Sequence, residues 1–112
     1  MKLAVPTANG IMCPHFGHCE VFTLFDVDEQ NKEITNTQVL NPPAHEPGVL
    51  PRWLSEQGVD VIIAGGMGMR AQQFFQQYNI KVMVGAMAEK PETIVLNYLN
   101  GTLKLGDNIC DH

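Results

Sequence analysis

The ten residues Val59-Asp60-Val61-Ile62-Ile63-Ala64-Gly65-Gly66-Met67-Gly68 decide the fold. Val59 to Ala64 is a nearly unbroken apolar run, the pattern of a strand covered on both faces. The glycines turn the chain into a helix on which Ala71, Phe74, Phe75 and Tyr78 share one side. Ile80 to Val84 then reads as a second buried strand, so the block is a strand–helix–strand crossover.

Working upstream, Leu50, Trp53 and Leu54 fall on one helical face, with Pro51 in the first turn and Gly58 as a left-handed stop. Before them, Val21 to Val27 and Glu33 to Leu40 read as strands joined by a turn at Asp28-Glu29-Gln30-Asn31. Leu3 to Pro6 is a short buried strand, and Thr7 to Glu20 is polar and irregular. Downstream, Pro91 opens a last helix with Ile94, Val95 and Tyr98 inward and Gly101 past its end. The order predicts one α/β domain over 1–112, three-layered α/β/α around a five-stranded mixed sheet, with 102–112 as a tail.

This order makes the first, fourth and fifth strands parallel. Loops 7–20, 41–47, 65–68 and 85–90 then open on one rim, at the carboxyl ends of the strands, where open α/β sheets bind ligands. Cys110 lies nine residues past Gly101. Extended, that tail spans roughly 30 Å, against about 17–20 Å for a typical strand, so it is long enough to return to the rim.

The chain's 112 residues suit a single hydrophobic core. Twelve acids against seven Lys and Arg give a formal charge of -5, which argues against nucleic-acid binding. No apolar run reaches membrane-span length. The start, Met1 to Pro6, is broken by proline too early for a signal peptide. A reducing, cytoplasmic compartment is the expectation, with the three cysteines as thiols.

The chemistry concentrates in Cys13-Pro14-His15-Phe16-Gly17-His18-Cys19. Thiolates and neutral imidazoles hold zinc, copper and iron–sulfur clusters. The spacing exceeds that of compact zinc knuckles, so Pro14 and Gly17 must bend the loop for Cys13 and Cys19 to converge. The competing reading makes both small buried hydrophobes. His15 either touches a ligand or anchors the loop through a backbone carbonyl. His18 and His45 are either rim ligands or solvated side chains.

Gly65, Gly66 and Gly68 either offer backbone amides to an anion or form a tight turn with no ligand. With Ala71 they match a loose G-x-G-x-x-A pattern, but no acid near Val84 would hold a ribose. Met12, Met67, Met69 and Met87 fall on or beside the rim, as soft ligands or as flexible lining, and Met83 reads as core. Cys110-Asp111-His112 is either a third contact or a frayed end. No serine–histidine–carboxylate set falls on this rim. A binding protein, not an enzyme, is expected.

The opening Leu3-Ala4-Val5-Pro6, His15-Phe16-Gly17 leading into Val21-Phe22, the block from Val59 to Gly68 and the closing Leu99-Asn100-Gly101-Thr102-Leu103 resemble one family. It is the dinitrogenase iron–molybdenum cofactor biosynthesis family, which includes NifX, the carboxyl-terminal domain of NifB and small stand-alone relatives such as the orange proteins. The resemblance implies a ribonuclease-H-like fold without nuclease activity. It also implies binding or carriage of an iron–sulfur or molybdenum–iron–sulfur cluster between donor and acceptor proteins. His15 matches the family's loop histidine, and Gly65, Gly66 and Gly68 match its glycine turn.

Cys13 and Cys19 are additions to that pattern and suggest firmer, thiolate-based attachment. The expected site joins Cys13, Cys19 and Cys110 as metal ligands to His15, His18, His45 and the glycine turn. A mononuclear zinc or copper site built from the same side chains is the alternative.

Overall fold

The computed structural model describes residues 1–14, 16, 19–43 and 48–106. The elements in order are β1 (Lys2–Ala8), β2 (Ile11–Met12), β3 (Val21–Asp28), β4 (Glu33–Leu40), α1 (Val49–Glu56), β5 (Val61–Ile63), α2 (Met69–Gln77), β6 (Lys81–Met83) and α3 (Pro91–Asn100). The sheet is mixed and six-stranded, in the order β4-β3-β1-β5-β6, with β2 paired to β1 off that path. The expected five strands are all present. The sixth, β2, lies inside the segment read as irregular.

Asn9 and Gly10 both take positive φ, 57° and 78°, and join β1 to β2 as a two-residue hairpin with Ala8 opposite Ile11. Left-handed backbone at both central positions is what such hairpins require, and Asn-Gly supplies it at low cost. Pro6 is tolerated inside β1 because the β1–β5 pairing covers only Leu3 and Ala4.

β5 runs parallel to both β1 and β6, while β3 is antiparallel to β1 and to β4. The carboxyl ends of β1, β4, β5 and β6 therefore share one rim, as the element order predicts. The buried side chains separate by strand parity into two clusters. Ala4, Phe22, Leu24 and Ile62 join Leu50 and Leu54 of α1 and Phe75 of α2. Leu3, Val5, Phe25, Val61 and Ile63 join Ile94 and Val95 of α3.

Gly58 at φ 84° and Gly101 at φ 73° end their helices as left-handed stops. Tyr78 departs from expectation. It caps the carboxyl end of α2 and is 37% exposed, so the inward face is carried by Phe75 with Ala71 beside it.

No described helix is long and apolar enough to cross a membrane.

Candidate functional site

The rim loops are fastened to one another through their backbones. Cys13 N–H donates to the Pro6 carbonyl at 2.8 Å, which carries the β2 strand one residue further. Met12 N–H donates to Glu89 O at 2.9 Å, binding the same strand to the 85–90 loop. Phe16 N–H donates to Gly66 O at 3.0 Å, and Gly85 N–H donates to Gly65 O at 2.8 Å. On the other side of the loop, Glu20 N–H donates to Thr7 O at 3.0 Å. The thiol loop, the glycine turn and the 85–90 loop thus form one hydrogen-bonded unit.

The two glycines of that turn serve the protein's own chain. A Cβ on Gly65 would lie 2.9 Å from the Pro14 carbonyl oxygen and 3.1 Å from the Pro14 Cα. Only a residue without a side chain lets the thiol loop come this close. Gly65 and Gly66 are buried, whereas Gly68 is half-buried and precedes α2 in extended conformation, with no side chain capping the helix.

Cys13 and Cys19 are both buried thiols, 5% and 8% exposed. They belong to the cluster that contains Ala64, Met67, Phe22 and Phe75. Phe16 pins the loop between them to the interior. Its ring lies 5.5 Å from Phe75, edge-on, and 6.0 Å from Phe22, so the half-buried Phe16 packs against the core.

Burial pushes the Cys19 thiol up to about 11, and the nearness of Cys13 adds to the rise because two thiolates would repel. At neutral pH Cys19 is therefore a neutral thiol. A soft metal arriving here must displace its proton.

The structure brings Cys13 and Cys19 into one cluster and sets their loop on Gly65 and Gly66. Among the described residues, no three His, Cys, Asp or Glu side chains gather in a group able to hold a metal. His15, His18, His45 and Cys110 lie outside the described residues. Of the rim methionines, Met12 and Met67 are buried at 1% and 0%, while Met69 and Met87 are exposed. Met83 is half-buried against the α3 cluster.

The described part of the tail, as far as Gly106, reaches the rim. Leu105 forms a bridge with Ala86, and Gly106 N–H donates to Gly85 O at 2.7 Å. Gly85 has φ 90°, and a Cβ there would overlap the Gly106 carbonyl. Sequence reading missed this pair, since a lone glycine after a strand does not say what approaches it. The Asn9-Gly10 dipeptide, by contrast, was a usable hairpin signal for β2.

Comparison with known proteins gives consistent results. The family described as dinitrogenase iron–molybdenum cofactor matches residues 1–101. An uncharacterized protein of Methanocaldococcus jannaschii, MJ0580, is 33% identical over 109 residues, 93% of this chain and 90% of the relative. The crystal structure of PH0822 superposes with a TM-score of 0.85 at 25% identity, over 94% of each chain. The apo form of the orange protein from Desulfovibrio gigas superposes with a TM-score of 0.73 at 20% identity, over 96% of this chain and 93% of its own. At that last identity the likeness speaks to the fold alone.

Proposed function

The chain belongs to the dinitrogenase iron–molybdenum cofactor family, and from that membership we propose that it binds an anionic metal–sulfur cluster and carries it between a donor and an acceptor protein. The fold on which it does so is read as a three-layer, ribonuclease-H-like one, the setting as cytoplasmic, and the role as non-enzymatic. The cluster is cargo.

One observation carries this reading. Two thiols share one buried cluster, in a loop whose backbone is bonded directly to the glycine turn. Cys13 and Cys19 are the proposed metal ligands, with His15, His18 and His45 completing the shell or bonding cluster sulfides. Gly68 and the residues after it offer uncapped helix amides to an anion, while Gly65 and Gly66 hold the loop in place. The anchoring of Gly106 at the rim supports a role for Cys110, four residues later, as a third ligand. A site assembled from loops suits transfer better than storage, because the ligands can separate without unfolding the sheet.

Anaerobic reconstitution tests the proposal. The wild-type chain takes up iron and acid-labile sulfide together and acquires broad visible absorption, whereas Cys13→Ala and Cys19→Ala do not. Uptake of zinc alone, without sulfide or colour, overturns it. So does sulfide uptake that survives loss of both thiols.

A further inference from the structure

A cavity of about 450 Å³ opens on the α3 face of the sheet, on the side away from the Cys13 and Cys19 cluster. Its size lies within the range of small-molecule sites. Thr7, Thr23 and Thr37 contribute hydroxyls to its lining, Val21 and Val39 are apolar walls, and Glu92 contributes a carboxylate. The three threonines come from adjacent strands β1, β3 and β4, and they fall on a diagonal across one face of the sheet.

Proton counting fixes what this lining can do. Thr7 and Thr23 are 4% and 6% exposed. The Thr7 hydroxyl donates to the Val5 carbonyl at 2.9 Å, which uses its single proton. The two hydroxyls are also 2.9 Å apart, and that bond needs a proton, so Thr23 must supply it. Both buried oxygens then have only lone pairs left for an occupant. An ionised Glu92 is likewise acceptor-only. Thr7, Thr23 and Glu92 together repel an anion and leave a neutral acceptor unsatisfied, and the exposed Thr37 hydroxyl can turn its lone pairs toward the same occupant. The chain's formal charge of -5 favours a cation further.

We infer that this cavity binds a small aliphatic ammonium ion, its N–H groups on the Thr7 and Thr23 oxygens and the Glu92 carboxylate, its alkyl stem along Val21 and Val39. The inference stands independently of cluster carriage, because none of these residues belongs to the thiol loop.

Titration of the ¹⁵N-labelled full chain with n-butylammonium chloride, followed by amide shifts, tests it. Saturable shifts at Thr7, Thr23 and Val39 are expected, with none from n-butanol or sodium chloride at equal concentration. Thr23→Val, which removes the acceptor and keeps the shape, weakens binding by about tenfold. Glu92→Gln, at an exposed position that leaves the fold intact, weakens it severalfold and carries the test if Thr23→Val fails to fold. Equal shifts from n-butanol, unchanged binding in Glu92→Gln, or no saturation overturns the inference. Tighter binding of a lysine tripeptide than of the free amine overturns it in favour of a partner's side chain.

Discussion

The Cys19 thiol lies in a cluster with Phe22 and Met67, and its pKa stands at about 11 against an ordinary 9.0, chiefly because burial disfavours the thiolate. That displacement links the residue to the stability of the chain. The folded state holds the proton that the unfolded state gives up near pH 9, so unfolding between the two values releases a proton. Stability supplied by the neutral thiol is complete below about pH 9 and is lost as pH rises towards about 11. The gap is worth on the order of 2 kcal/mol. In urea titrations the wild-type midpoint should fall across this window, and Cys19→Ala should flatten that part of the fall. A wild-type midpoint that is constant across the window would show that Cys19 ionises as freely when folded as when unfolded. Cysteine next to histidine in a polar loop was legible as a place for chemistry. The burial that sets its protonation was not, because its cluster is completed by Met67 and Phe75, residues remote in sequence.

At the level of elements, the rim is built by loops that use glycine to approach each other. Gly65 admits Pro14, and Gly85 admits Gly106. Gly85→Ala meets two obstacles at once, the positive φ and the Gly106 carbonyl. Strain of this kind costs about 1–3 kcal/mol, and the cheapest relief is detachment of residues 102–106 from the rim. The expected signature is loss of amide-exchange protection at Gly106 and Leu105, with protection in β1 and β5 unchanged. If protection at Gly106 persists, the tail is held by something other than this contact. The long elements were legible because their apolar periods are unambiguous. β3, β4 and all three helices fall within a few residues of expectation. β2 has only two residues and shows no period, so its one local signal was the turn Asn9-Gly10. The rim itself follows from strand direction alone, but the bonds from Phe16 to Gly66 and from Gly85 to Gly65 depend on tertiary approach.

Across the whole molecule, one sheet serves two cores. Ile62 and Ile63 are neighbours in β5, yet they belong to opposite clusters, as do Ala4 and its neighbours Leu3 and Val5 in β1. Neither cluster can come apart without moving strands that the other needs, so the chain should unfold as a unit. The single tryptophan makes this testable, since Trp53 packs on the α1 and α2 side, with its ring 5.8 Å from Phe22. Ile94 is fully buried in α3, on the other side. Ile94→Ala removes apolar volume there and should cost about 2–5 kcal/mol. If the sheet couples the cores, the urea midpoint read by Trp53 fluorescence drops as far as the midpoint read by amide exchange at Val95. A Trp53 transition that stays at its wild-type position while the Val95 transition moves would mean that the α3 side unfolds separately. The thiol loop is seated on the Trp53 side, so full coupling would also make the site sensitive to packing it never touches.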